Sequence, residues 1–300
     1  MNLYGEFLPN VNLRFNHASK FAIDLNPSKG IRRFGPYDRD LFPSSVINCG
    51  VIYPRYATKE KDDFIKDLIF GTGKDYPGFK NLFRVDLKFD GSAVCPIDEN
   101  LRSIKQAALD VSNRQCDIVF ILTSQRNEQV YQLCKSILLS NGVPSQLNEL
   151  QKLRTNQRPW ILSNTALATY AKVGGTPWVV ADSLPKQELI MGVSRAQDKN
   201  KEYVVGFVTL FNQEGDFLLL HSKTPVIKWE DYEDGLKELI IDAYSEYLTQ
   251  YGIPESLIIH FHKRPGYREK SAVEFALKDL SLNIPYALLH LNEYSGFRLF

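Results

Sequence analysis

Cysteine is scarce in this chain of 300 residues, and the four present do not cluster: Cys49, Cys95, Cys116 and Cys134 form no Cys-x-x-Cys spacing. Neither a zinc site nor a disulfide framework is indicated, and reduced, buried thiols are the expectation. Net charge is nearly absent as well, at +1 from 36 Lys and Arg against 35 Asp and Glu. Coating nucleic acid by bulk charge needs a large excess of one sign, so a nucleic-acid reader of this composition must concentrate its positive potential locally. Arg126, Lys135, Lys152, Arg154, Arg158 and Lys172 are where the sequence gathers it. No stretch approaches the length of a membrane span, and no early apolar run has the flanks of a secretory signal. A cytoplasmic protein without membrane insertion is therefore expected. No Gly-x-Gly-x-x-Gly or Walker loop follows any expected strand, which counts against a dinucleotide or P-loop enzyme.

What is present is ordinary globular material, 44% hydrophobic and 24% charged, long enough for about two domains. Two early runs, 11–15 and 21–25, alternate apolar and polar residues and read as an extended, hairpin-like arm that ends at the turn signal Asn26-Pro27. Gly35-Pro36-Tyr37-Asp38 marks a further turn. From 46 to about 150, strands (46–53, 83–89, 117–123) alternate with helices (59–70, 99–111, and one from about 127 to 139), the rhythm of a doubly wound, mostly parallel sheet. Beyond 178 come a strand at 188–194, a hairpin of 203–211 with 217–221, a helix over 232–251, a strand at 257–262, a helix near 272–280 and a strand at 286–291.

The stretch 131–178 carries the chemistry. Tyr131 and Lys135 stand at i and i+4, on one helical face. Pro144-Ser145-Gln146 follows in a short extended run, and a second helix from about 161 ends at Lys172-Val173-Gly174-Gly175. Taken singly, a Tyr/Lys pair is most simply a solvated face and a Lys-x-Gly-Gly a capped basic turn. In order, however, Tyr-x-x-x-Lys, Pro-Ser-Gln and Ala-Lys-Val-Gly-Gly-Thr-Pro-Trp resemble the 5′-phosphate pocket of Argonaute proteins, where the MID domain meets the start of PIWI. The resemblance implies that Tyr131, Lys135, Gln146 and Lys172 contact the phosphate. A terminal phosphate has close to two negative charges and strong acceptor oxygens, which two ammonium groups, a phenol and an amide would match. In a parallel sheet ligands bind beyond the carboxyl ends of strands, which points to Ser124, Gln125, Arg126 and Asn127 as a first-base loop near a helix N-terminus. The segment 30–38 resembles the Gly-Pro-Tyr segment near the start of short prokaryotic Argonautes.

The implied fold is α/β: an N-terminal arm and turn (1–45), a Rossmann-like MID domain (46–157) and a ribonuclease H-like PIWI domain (158–300), incomplete at its C-terminal end. The resemblance further implies Mg²⁺ at the guide 5′-phosphate, a guide of RNA or DNA, a complementary target strand expected to be DNA, and an effector protein or the missing PIWI portion as partner. The effector would be a sirtuin-like or Toll/interleukin-1-receptor-like NAD-consuming protein, a nuclease or a membrane protein. A PIWI nuclease needs carboxylates around two divalent metals. The family's first Asp falls where this chain has Gly192-Val193-Ser194, and the later Asp where it has His260-Phe261-His262-Lys263-Arg264. Asp198 lies too far along the strand to replace Ser194, and Glu230 reads as a helix N-terminal acid. His260 and His262 could share a zinc, but no third ligand has sensible spacing.

The sequence thus points to guided recognition of nucleic acid without cleavage, in prokaryotic defence. A Rossmann-like nucleotide-binding hydrolase and a degenerate interaction scaffold are the alternatives.

Overall fold

The computed structural model describes residues 10–98, 100–181, 187–197, 200, 203–212, 215, 217–222 and 227–290. Asp198, most of the 212–216 turn and the chain end at 291–300 lie outside them. The chain divides into two compact units, Met1–Val179 and Val180–Phe300.

In the first unit β1 (Leu13–Arg14) and β2 (Ile23–Asp24) pair antiparallel, as the alternating runs suggest. The Asn26-Pro27 signal, expected to be a turn, instead starts helix α1 (Pro27–Phe34). The Asn26 side chain accepts from Lys29 N, and proline's fixed φ suits a first helical position. There follow β3 (Val46–Pro54), α2 (Thr58–Phe70), α3 (Phe79–Phe83), β4 (Asp86–Ile97), α4 (Leu101–Ser112), β5 (Ile118–Thr123), α5 (Glu128–Ser140), β6 (Ser145–Glu149), α6 (Leu150–Leu153), α7 (Arg158–Lys172) and β7 (Val179–Val180). Strands β4-β3-β5-β6 form a parallel sheet in that order, the expected doubly wound arrangement. β4 begins later and runs longer than the expected 83–89: Ser92 N–H bonds the Asp90 carboxylate, and the strand passes through Asp90-Gly91-Ser92 with a register shift opposite Cys49 and Val51.

Every residue of β5 is buried, which is what coverage of both sheet faces requires. Ile118, Phe120 and Leu122 enter one apolar cluster with Phe64 and Tyr170, while Val119 and Ile121 enter another with Ile104, Cys134 and Leu138. Burial pushes the Cys134 thiol up to about 11 and raises those of Cys49, Cys95 and Cys116. Thiols kept protonated in this way are poor nucleophiles.

The expected boundary at 157/158 does not coincide with the division into compact units. Leu162, Ala166 and Tyr170 of α7 are buried in the same cluster as Phe64 and Phe120, so α7 packs as part of the first unit.

The second unit contains β8 (Glu188–Gln197), β9 (Tyr203–Asn212), β10 (Phe217–Ser222), β11 (Ile227–Lys228), α8 (Tyr232–Tyr251), β12 (Ser256–Phe261), α9 (Tyr267–Asp279) and β13 (Tyr286–His290). Its sheet runs β10-β9-β8-β12-β13, antiparallel through the first three and parallel from β8 to β13. That is the succession of an antiparallel meander and βαβ units expected for a ribonuclease H-like domain. Among the described residues no helix is long and apolar enough to cross a membrane.

Candidate functional site

Helix α5 is anchored before it presents anything. Val130, Cys134 and Leu138 form its buried stripe, and the Asn127 carboxamide oxygen caps it by accepting from Gln129 N and Val130 N at 3.1 and 3.2 Å. Tyr131 and Lys135 lie beside that stripe, half-buried, as their i, i+4 spacing dictates. The Lys135 ammonium donates to the Tyr131 hydroxyl at 2.9 Å and lies over its ring at 5.2 Å.

Among the described residues strand β6 is the edge of its sheet, so one row of its backbone groups has no neighbouring strand there. Lys172 takes advantage of this. From the last turn of α7 its ammonium donates at 2.7 Å to both the Ser145 carbonyl and the Gln146 side-chain oxygen. Asn148, two residues on and of the same parity as Gln146, donates to Thr165 of α7 at 2.6 Å and ties the strand to the helix. The resulting cavity, about 420 Å³, is lined by Tyr131, Gln146 and Lys172 with Arg126, Asn127, Ser145 and the acids Glu128 and Glu149. Lys135 is not part of the lining and reaches it through Tyr131. Its charge is nonetheless felt there: desolvation chiefly, and the Lys135 ammonium next, hold the Lys172 pKa below its ordinary value. Two lysines beside each other, with no carboxylate partner among the described residues, are an arrangement that an anion would relieve.

The other cations of the expected basic cluster are already paired. Arg154 meets Glu60 at 2.6 Å and Arg158 meets Asp67 at 2.8 Å, both acids coming from α2, while Lys152 pairs with Glu149 at 2.7 Å and Arg126 with Glu128 at 3.7 Å. The local positive potential therefore rests on Lys135 and Lys172, a narrower source than the sequence suggests. Of the expected first-base loop, Arg126 and Asn127 line the cavity and Ser124 and Gln125 do not. Because Asn127 occupies two of the free amides of α5, that helix end is less open to an anion than the sequence implies. Ser145 is the contact that sequence reasoning missed. It contributes through its backbone carbonyl, for which the residue type gives no signal.

What fixes Lys172 is the segment after it. Gly174, at φ +91, takes the left-handed turn that ends the helix, whereas Gly175 serves a different need: a Cβ there would stand 2.4 Å from the Tyr170 ring. Tyr170 is fully buried, stacked on Phe83 with centroids 4.6 Å apart, and its hydroxyl donates to Asp38 at 2.6 Å. The same carboxylate accepts from Thr176 N at 2.8 Å, and Tyr37 N bonds the carbonyls of Thr176 and Pro177. The Gly-Pro-Tyr-Asp and Gly-Gly-Thr-Pro-Trp segments singled out in the sequence thus pack on each other and hold the end of α7.

In the second unit, the pairing of β12 with β8 ends at Phe261↔Val193, just before Ser194 and His262. Both line one small cleft with Arg195, Lys263, Arg264 and Glu269. Glu269, the one carboxylate in the lining, accepts from Gly266 N at 2.9 Å and faces Arg195 at 3.9 Å. Glu230 is exposed, pairs with Lys228 at 3.6 Å and is not in the cleft. Among the described residues no group of three or more His, Cys, Asp or Glu is placed to hold a metal ion.

The Piwi domain model matches residues 117–266, half of the chain. The chain belongs to the Piwi domain family. This Piwi match takes in β5 to β6, with the cavity, as well as β8 to β12 of the second unit's sheet. The chain is 28% identical over 263 residues to the protein argonaute of Cereibacter sphaeroides, an alignment covering 76% of this chain and 33% of that protein. The Piwi protein of Archaeoglobus fulgidus is 23% identical over 282 residues, covering 90% and 63%. Among solved structures, Clostridium butyricum Argonaute bound to a guide DNA and a 19-mer target DNA has the same fold, with a TM-score of 0.67 at 17% identity over 94% of this chain and 39% of that one. The chain spans between about a third and two thirds of the length of these relatives.

Proposed function

We propose that this protein is a short, catalytically inactive Argonaute that holds the 5′-phosphate of a guide strand, RNA or DNA, and uses the guide to recognise a complementary target. The observation that carries this is the convergence of Tyr131, Gln146 and Lys172, from three elements, on one cavity with Lys135 bonded behind Tyr131, and, among the described residues, no carboxylate paired to either lysine. On binding, the phosphate would take over the ammonium donors that Lys135 now gives to Tyr131 and Lys172 to Ser145 and Gln146. Hydrogen bonds between ammonium and anion replace hydrogen bonds between ammonium and neutral acceptors, and the repulsion between the lysines is relieved. Guide–target pairing reads the sequence, while the protein supplies phosphate and backbone contacts. Kinship with Argonautes, one of them solved with guide and target DNA, supports the same class of ligand here.

Mg²⁺ at the 5′-phosphate, implied by the family, finds little to hold it. The anionic residues lining the cavity are Glu128 and Glu149, engaged with Gln132 and Arg126 and with Lys152 respectively. The lysines are therefore assigned the whole of the charge compensation. Among the described residues β13 is the open edge of its sheet, with Tyr286 and Leu289 exposed, and a further polypeptide, an effector or more of a PIWI domain, is assigned to that side. Action in the cytoplasm, in prokaryotic defence, belongs to the same proposal.

Inactivity follows from chemistry. A hydroxyl at Ser194 and an imidazole at His262 cannot bridge two divalent metals, and Glu269 is already committed. Incubated with a guide and Mg²⁺ or Mn²⁺, a complementary target is expected to be retained on the protein and recovered intact. Guide-dependent cleavage would overturn inactivity, and cleavage that survives substitution of Glu230 and Asp198 would place the active site elsewhere.

Binding should also depend on pH with a definite sign. Below about pH 6 the phosphate takes its second proton and affinity falls. At the alkaline end Lys172, its pKa lowered in the fold, loses its charge at a lower pH than the ordinary lysine value of 10.5. The upper limb of a binding-versus-pH profile should therefore lie below that value and move up in Lys135→Ala, which removes the neighbouring charge; an upper limb unmoved by that substitution would contradict the proximity.

A further inference from the structure

In the free protein the Gln146 carboxamide is turned the wrong way for an anion. Its Oε1 accepts from the Lys172 ammonium at 2.7 Å, and its Nε2 donates to the Leu147 carbonyl at 3.2 Å. A fully ionised phosphate only accepts hydrogen bonds, so Gln146 can meet it with the amide nitrogen alone. Exchanging the two ends of the carboxamide in place would set its oxygen against the Leu147 carbonyl, acceptor to acceptor. The displaced oxygen needs another donor.

The seam between β6 and α7 contains one. Asn148 donates to Thr165 at 2.6 Å, which sets the strand against the helix, and the bond from Lys172 to Gln146 shows that the two elements run in opposite senses. From Asn148 back to Gln146 is roughly 6.6 Å of strand, and from Thr165 on to Thr169 is roughly 6 Å of helix. Both steps go the same way. Thr169 therefore comes level with Gln146, on the helix face that Thr165 already shows to the strand. Thr169 is fully buried, and its Oγ1 has no hydrogen-bond partner among the described residues, although a helical threonine can bond the carbonyl four positions back. A buried hydroxyl left unpaired costs stability, which a partner gained on ligand binding would account for.

We propose that Thr169 is a positioning residue for the terminal phosphate: when Gln146 turns its amide nitrogen to the anion, the Thr169 hydroxyl donates to the released Oε1 and holds the carboxamide in that orientation. Thr169 touches no ligand itself. A terminal hydroxyl can donate to Gln146 as it stands, whereas a phosphate requires the turned amide, so Thr169 acts on the choice between the two strand ends. The inference rests on the reading of the cavity as a 5′-phosphate site.

The test is Thr169→Val, which replaces the hydroxyl by a methyl group of similar size, beside Thr169→Ser, which keeps it. The whole chain is titrated with one oligonucleotide carrying either a 5′-phosphate or a 5′-hydroxyl. Thr169→Val should lose roughly two- to tenfold of the wild type's preference for the phosphorylated strand, the range of one neutral hydrogen bond, with Kd for the hydroxyl strand unchanged. Thr169→Ser should keep the preference. In a Gln146→Ala background Thr169→Val should change nothing further, because no carboxamide is left to hold. Urea unfolding of the free protein should find Thr169→Val at least as stable as the wild type, since it removes an unpaired buried hydroxyl. Full preference retained by Thr169→Val would overturn the proposal, as would an equal effect of Thr169→Val in the Gln146→Ala background. A destabilised Thr169→Val that weakens both strands alike would also overturn it, leaving Thr169 a structural residue. If the wild type shows no preference for the phosphorylated strand, the 5′-phosphate reading falls and takes this inference with it, whereas a wild-type preference that Thr169→Val retains removes the inference alone.

Discussion

Replacing Lys172 by alanine is expected to weaken binding of a 5′-phosphorylated guide by about 1.5–3 kcal/mol, the scale of a charged hydrogen bond. That is roughly ten- to hundredfold in Kd. A 5′-hydroxyl guide should scarcely notice, because its backbone contacts lie elsewhere. Lys135→Ala should behave alike, for although Lys135 stands behind Tyr131, its charge acts on the same site. The double variant should lose less than the sum of the two, since both lysines act on one anion and each alters the protonation of the other. Salt dependence should become shallower in each variant. Equal losses for phosphorylated and hydroxyl guides would reduce the lysines to a general basic surface.

The largest stability effect is expected at Tyr170. Truncation to alanine removes a fully buried ring that stacks on Phe83 and packs against Phe42, at a cost of about 3–5 kcal/mol. Tyr170→Phe keeps the packing and loses one hydrogen bond to Asp38, which retains the Thr176 amide, so about 1 kcal/mol is expected. Gly175→Ala forces a methyl group into the same ring and should cost about 1–3 kcal/mol through overpacking. Urea unfolding of the three variants gives the ranking. A Tyr170→Ala protein as stable as the wild type would mean that α7 is not held by this cluster. The consequence extends to function, because Lys172 lies two residues along the helix from Tyr170, and loosening that end would weaken guide binding without any change in the residues touching phosphate.

Much of this was legible in the sequence for local reasons. Tyr131 and Lys135 meet because i, i+4 spacing on a helix leaves them little choice, and β5 could be placed because a continuous apolar run of that length reads as a strand covered on both faces. The long helix over 232–251 appears with the bounds its periodicity gives. The failures have equally physical causes. Asn26-Pro27 is compatible with a turn and with a helix cap followed by proline at the first helical position, and the following eight residues decide between them. Arg154 and Arg158 looked available for an anion because their partners, Glu60 and Asp67, are more than 90 positions away in the chain. The role of Gly175 was hidden for a related reason. Beside Gly174 it looks like part of a cap, and only the packed structure reveals that it makes room for a ring. Backbone contributions such as the Ser145 carbonyl have no signature in residue type at all.

The central claim is that the cavity between α5, β6 and α7 takes the terminal phosphate of a strand. Its most direct test is an equilibrium filter-binding comparison, on the unaltered protein, of one oligonucleotide bearing a 5′-phosphate, the same oligonucleotide with a 5′-hydroxyl, and ATP as competitor. Tighter binding of the phosphorylated strand, undisturbed by ATP, is the expected result. Indifference to the 5′ group would contradict the claim, and displacement by ATP would show that the cavity belongs to a nucleotide-binding enzyme instead.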